Sequence, residues 1–192
     1  PDGSGTGYLD SANSTANSTM TLYAQWEPYW THQAYLKAPN AGADDRFGYS
    51  VSVSGDTIVA GAYAEDSSQT TVSNDTSASS DNNTHSAGAA YVFVRSGTTW
   101  VQQAYIKAPN AGYGDFFGSS VSVSGDTIVA GAYKVDSNQT TVSNSGSLPT
   151  AGGDNDSAAL AGAAYVFTRL CENGEENSSE ISCWSGRGIR YS

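Results

Sequence analysis

Residues 33–63 read QAYLKAPNAGADDRFGYSVSVSGDTIVAGAY, and residues 103–133 read QAYIKAPNAGYGDFFGSSVSVSGDTIVAGAY. Of the 31 aligned positions, 26 are identical. Such self-similarity decides the architecture before any single element does, because a repeat unit buries its apolar face only against a neighbouring unit. Moving outward, Trp30 and Trp100 precede the two copies at the same offset, and AGAAYVF closes each at residues 87–93 and 161–167. A polar insert separates body from close, at residues 64–86 and 134–160. It is four residues longer the second time, so the length variation sits in a loop.

Each copy predicts four short strands. The first is QAYLKA or QAYIKA, ended by the turn-forming Pro-Asn-Ala-Gly. The second is Ser-Val-Ser-Val at 50–53 and 120–123, whose period of two puts valines on one face and serines on the other. A tight turn at Gly55-Asp56 or Gly125-Asp126 leads into TIVAGAY, and AAYVFVR or AAYVFTR makes the fourth strand. Four antiparallel strands repeated in tandem predict an all-β fold of propeller-like blades. The small residues of AGAY fit strands that approach a neighbouring blade closely.

Phe47-Gly48 followed by Gly61-Ala62-Tyr63, and Phe117-Gly118 followed by Gly131-Ala132-Tyr133, resemble the FG-GAP repeat of integrin-alpha-type propellers. The resemblance covers both units and implies a secreted or surface protein, with Phe47, Gly48, Gly61, Phe117, Gly118 and Gly131 as motif residues. Calcium-binding members of that family carry an Asp-rich loop between the two motif elements. Here SVSVSGDTI stands in its place, and a single Asp56 or Asp126 cannot supply the six to eight oxygens that calcium takes. No metal or cofactor is therefore expected. Thr21-Leu22-Tyr23-Ala24-Gln25-Trp26 resembles the closing strand of the Listeria–Bacteroides type repeat, a surface-protein module. The expected organisation is a partial β module at 1–28, blades at 29–96 and 97–169, and a cysteine-containing tail at 170–192.

Composition narrows the function. The net charge is −11, from Lys+Arg 8 against Asp+Glu 19, so there is no basic stripe to displace counterions from nucleic acid. No apolar run approaches the ~20 residues of a membrane span. Ser and Thr total 46, and with 12 Asn chance would give about three N-x-[ST] sequons. There are seven, at Asn13, Asn17, Asn74, Asn82, Asn138, Asn155 and Asn177, which points to N-glycosylation in a eukaryotic secretory pathway. The chain starts at Pro1, with neither an initiator Met nor a signal peptide, as a processed piece of a longer chain would. Cys171 and Cys183 can close a local disulfide or pair with another chain.

Nothing points to catalysis. His32 is matched by Gln102 in the second unit, and His85 lies in a Ser/Asn-rich insert. Of the candidate carboxylate pairs Asp44-Asp45 and Glu65-Asp66, only Asp45/Asp115 and Asp66/Asp136 recur once per unit, as turn-capping residues do. The inserts are poor in large apolar side chains, yet both keep a QTTVSN core (residues 69–74 and 139–144), which predicts local packing. Tyr35/Tyr105, Tyr63/Tyr133 and Tyr91/Tyr165 recur at strand positions and are expected between blades. Two blades cannot close a ring, so the expected partners are other copies of the chain or adjacent blades of a longer one. The resulting expectation is an extracellular glycosylated structural or adhesive protein. A ligand- or glycan-binding propeller module is the alternative.

Overall fold

The computed structural model describes residues 29–144 and 159–170. The chain divides after His32, and of its N-terminal unit only residues 29–32 are among those described. The resemblance at residues 21–26 and both cysteines lie outside the described residues.

From Gln33 onward the described chain holds seven strands and no helix. They are β1 (Ser50–Ser54), β2 (Thr57–Ala62), β3 (Ala89–Ser96), β4 (Thr99–Ile106), β5 (Phe117–Ser124), β6 (Thr127–Ala132) and β7 (Ala163–Thr168). They pair antiparallel in two sheets, ordered β1-β2-β3-β4 and β5-β6-β7. Two-residue loops join β1 to β2 and β5 to β6, each with its first residue, Gly55 or Gly125, at φ 54°. Glycine adopts that conformation without steric cost.

The sheets are out of phase with the repeat in the sequence. QAYIKA, expected to open the second unit, instead begins within β4 and closes the first sheet, with Val92 opposite Ala104 and Ala90 opposite Ile106. Its counterpart at 33–38, also expected to be a strand, has no strand partner. The physical reason is that a strand needs a ladder, and the described residues hold no sheet ahead of β1 for it to join. The first blade thus takes its outermost strand from the following copy, and among the described residues the second sheet holds three strands.

Two apolar clusters hold the stack. Between the sheets, Val59, Ala90, Val92, Ala104, Ile106 and Ala108 meet Phe117, Val123, Ile128, Ala130, Tyr165 and Phe167. On the other face of the first sheet, Leu36 and Ala38 pack with Phe47, Ala60, Tyr91 and Phe93. Position for position these are the same cluster, with Leu36 and Ala38 in the roles of Ile106 and Ala108. Residues 33–38 therefore sit against the first sheet as the end of β4 sits against the second. The phenylalanine of each FG motif is the wedge. Phe117 stands edge-on to Tyr165 and Phe167, at 5.4 and 6.1 Å, and Phe47 to Tyr91 and Phe93, at 5.3 and 6.2 Å. Burial of such a ring contributes roughly 1.5–3 kcal/mol, and each edge contact adds about 0.5–1.5 kcal/mol.

Candidate functional site: the blade flanks

The joint between the sheets is built from the Ser-Val alternation. On β1 the serines face the second blade. Ser50 Oγ donates to the Gly118 carbonyl (2.7 Å), while Ser52 and Ser54 Oγ accept from the amides of Val123 (3.0 Å) and Gly125 (3.2 Å). A short hydroxyl is the side chain that can satisfy a neighbouring backbone at that spacing. The approach is close enough that a Cβ on Gly61 would run into the Gly118 carbonyl and Ser50 Oγ, and one on Gly118 into the Ala89 carbonyl. Gly48, the same motif position in the first copy, has φ +82° and open space where its Cβ would be. The contrast separates two demands on the motif glycine: backbone conformation in both copies, and close approach only where a blade lies in front.

The two outer flanks are the halves of this joint left unmatched. On the leading flank Val51 and Val53 are 66% and 65% exposed, whereas their counterparts Val121 and Val123 lie against the first blade. On the trailing flank Val166 is 67% exposed, whereas its counterpart Val92 is fully buried. Ser120, Ser122 and Ser124, equivalent to the three gripping serines of β1, are all exposed there. One recess lies at the joint between the blades, beside Val92, Ile128, Phe167 and Arg169, and holds about one water molecule.

The first insert covers the outer edge of β4. Ser73 exchanges both backbone hydrogen bonds with Tyr105 at 2.9 Å, and Val72 packs against the apolar cluster between the sheets. Gln69 holds the turn by donating to the Thr71 carbonyl (2.8 Å) and Ser73 Oγ (3.0 Å). Gln139 repeats this with Thr141 (2.9 Å) and Ser143 (2.8 Å), so the retained QTTVSN core is a preformed turn in both copies. In the second copy it has no fourth strand to cap among the described residues, and Val142 is 83% exposed.

Beneath the first insert lies a buried polar cluster that sequence reading missed. Lys107 Nζ meets Glu65 Oε2 at 2.8 Å, with Lys107 fully buried and Glu65 2% exposed. Asn40 and the Ser67 amide also donate to Glu65, at 3.1 and 3.2 Å. Burial holds Lys107 below the ordinary lysine value, and Glu65 pulls the other way. Burial and the charge of Glu65 push Tyr91 and Tyr105 well above the usual phenol range. Tyr91 donates to Asn40 (2.8 Å) and Tyr165 to Asn110 (2.7 Å), so the Asn of each Pro-Asn-Ala-Gly turn pins the buried Tyr of its blade. That pairing was legible in principle, since both residues recur in register. Glu65 was not, because Val135 stands in its place in the second copy.

The residues singled out from sequence are placed as follows. Asp45 and Asp115 accept from the amides of Gly42 (2.5 Å) and Gly112 (2.7 Å), as turn caps. Asp66 and Asp136 accept from the amides of Ser86 and Leu160, both at 2.6 Å, and clamp the ends of the inserts. Asp56 is engaged by Arg95, which also lies 5.7 Å over the Trp100 ring. His85 is exposed beside Tyr113. Among the described residues no group of three or more His, Cys, Asp or Glu is placed to hold a metal ion. Asn82 and Asn138 are exposed and Asn74 is half-buried. Asn13, Asn17, Asn155 and Asn177 lie outside the described residues. Of the recurrent tyrosines, Tyr91, Tyr105 and Tyr165 are buried, Tyr63 packs on Phe116 of the second blade, and Tyr35 and Tyr133 are exposed.

Stacked antiparallel blades joined through FG and GAY elements define a propeller-type repeat module. The FG-GAP repeat family matches residues 30–93 and 100–148, more than half the chain, and the chain belongs to that family. FG-GAP repeats are non-enzymatic propeller modules that occur in extracellular and surface proteins, adhesion proteins among them. No curated protein and no solved structure matches the chain. Among the described residues, no helix is long and apolar enough to cross a membrane.

Proposed function

We propose that this chain is a glycosylated structural or adhesive module of an extracellular surface, and that it builds a fibre or coat by blade-to-blade assembly. The observation that carries the reading is the pair of flanks. The valines and serines exposed at the two ends of the stack are the residue types that lock the stack in its middle. Covering Val51, Val53 and Val166 would contribute roughly 1–2 kcal/mol each, a gain available only through another blade. A head-to-tail contact of this kind is heterologous and propagates into rings or filaments. The sequons at Asn82 and Asn138 lie on exposed insert positions and would carry glycans into solvent.

Sedimentation velocity over a concentration series tests the assembly, with electron micrographs of the heavy fractions. Growth of the sedimenting species with concentration is the expected result, and a monodisperse monomer throughout would refute it. Intact mass before and after glycosidase tests the sugars on protein secreted from a eukaryotic host.

A second reading has its own observation. Tyr49, Tyr63, Phe116 and Tyr133 form a ladder across the two blades, with centroid spacings of 4.6, 5.6 and 5.1 Å, and both end tyrosines are exposed. Such a surface suits stacking on sugar rings. Glycan binding by a monomer, abolished by Tyr49→Ala with Tyr133→Ala, would favour it.

A further inference from the structure

The molecule contains one worked example of how its blades are completed, and both pieces of a second example lie unused. We infer that residues 33–38 of one copy add to β7 of another as the missing fourth strand, in the register that β4 makes with β3. This rests on the assembly reading above and names the strand, the edge and the pairing through which it would act.

Four observations converge. β7 (AAYVFT) repeats the first five residues of β3 (AAYVFVRS), and among the described residues a strand pairs with it on one side only. QAYLKA at 33–38 repeats QAYIKA at 103–108, whose first four residues end β4, the strand that takes the equivalent edge. Residues 33–38 are also already positioned. Leu36 and Ala38 pack on the first sheet as Ile106 and Ala108 pack on the second, and no backbone hydrogen bond engages residues 33–37 among the described residues. Finally, the QTTVSN turn of the second insert is folded like the first, with Ser143 in the place of the Ser73 that caps β4. An incoming strand would find its sheet edge, its facing blade and its outer cap preformed.

The register follows from the internal copy. Val92 faces Ala104 and Ala90 faces Ile106, so Val166 would face Ala34, and Ala164 would face Leu36. Docking would bring the trailing flank of one copy against the leading flank of the next. The same step would cover Val166 and Val129 on one side and Val51 and Val53 on the other. The edge would be closed by strand addition, in which main-chain hydrogen bonds give affinity and alternate side chains give specificity. One position departs from the template. Lys37 would meet Val135 where Lys107 meets Glu65, so the joint between copies holds a lysine without its carboxylate and is weaker than the internal one by the cost of that unpaired charge.

The test is a cross-link in the full chain carrying Cys171→Ser and Cys183→Ser. Ala34→Cys with Val166→Cys places two thiols opposite one another between copies, within reach of a disulfide. Mild oxidation is expected to give a ladder of covalent multimers. The ladder should form roughly tenfold faster than in the Tyr35→Cys/Val166→Cys control, whose side chains leave opposite faces of the sheet, Tyr105 and Ala104 being successive residues of the regular part of the template ladder. Mixing the Ala34→Cys chain with the Val166→Cys chain should stop the ladder at the dimer. Cross-linking within a single chain, or at the control rate, would overturn the strand pairing. Sedimentation of the same samples separates the two readings. Assembly without the register-specific cross-link leaves blade stacking standing and removes the strand donation, whereas a monomer at every concentration removes both.

Discussion

Replacing Glu65 by valine, the residue found at the matching place in the second copy, would leave Lys107 charged and without its partner inside the first blade. Lys107 is 0% and Glu65 2% exposed, and the ammonium donates to the Glu65 carboxylate at 2.8 Å. Breaking a buried pair from one side costs about 3–5 kcal/mol, because the remaining charge keeps its desolvation cost and loses its compensation. At about 2–4 °C per kcal/mol for a chain of this size, the melting temperature of Glu65→Val should fall by roughly 6–20 °C. The double variant Glu65→Val/Lys107→Met removes both charges and should recover most of that loss, since apolar replacements of buried pairs are close to neutral. Thermal melts followed by circular dichroism at neutral pH measure both. The pH dependence has a definite sign. Lys107 titrates below its ordinary value of 10.5 in the folded chain, so the unfolded chain binds more protons between the two values. Stability of Glu65→Val should therefore rise with pH through that window, while the double variant stays flat. A fall of less than about 1 kcal/mol for the single variant would refute the reasoning, because it would mean that Lys107 finds water or another carboxylate.

Other outcomes follow from the same coordinates. Gly61→Ala and Gly118→Ala drive a Cβ into backbone of the neighbouring blade and should each cost upwards of roughly 2 kcal/mol in denaturant melts, against about 1 kcal/mol for Gly48→Ala, which meets only an unfavourable φ. Asp81 is held below the usual carboxylate range: its modest burial raises it, but the Ser68 amide, the Ser79 and Ser67 hydroxyls and the Asn83 amide outweigh that. A depressed carboxylate stabilises above its unfolded value of 3.8 and loses that contribution as pH falls below it, so amide exchange in the first insert should accelerate in acid before that in β2 and β3. Tyr91→Phe loses the bond to Asn40 and should cost about 1 kcal/mol, whereas Tyr105→Phe should be milder, because that hydroxyl lies near Glu65 and Ser67 without a hydrogen bond of ordinary geometry.

The strands and their turns were legible because they rest on local signals. Alternation at 50–53 and 120–123, a glycine at positive φ in each hairpin, and the doubled FG and GAY elements each carry their own physics. The phase of the sheets was not legible. QAYLKA and QAYIKA are nearly the same peptide, and only the presence of an AAYVF strand beside the second makes it β4. The faces of the Ser-Val strands were read correctly as two-sided, but which side meets a blade depends on position in the stack, so Val53 is exposed where Val123 is buried. The Lys107–Glu65 pair was hidden for a related reason: it joins one copy's insert to the next copy's first strand, and the second copy has valine at the acidic position. The insert's packing was anticipated from its retained QTTVSN core, although composition alone argued for a loop without structure.

On the strand pairing proposed above, the offset between repeat and blade would give the array cohesive ends. If each unit borrows its last strand from the unit after it, a tandem series of any length displays the same unclaimed strand at its head and the same vacant edge at its tail. Duplicating or deleting whole units would change the reach of the molecule and leave its termini untouched, so length and joining chemistry could evolve separately. Among the described residues the unclaimed strand is QAYLKA and the open edge is AAYVFT, two halves of a pairing that the polypeptide already spells out once in its middle.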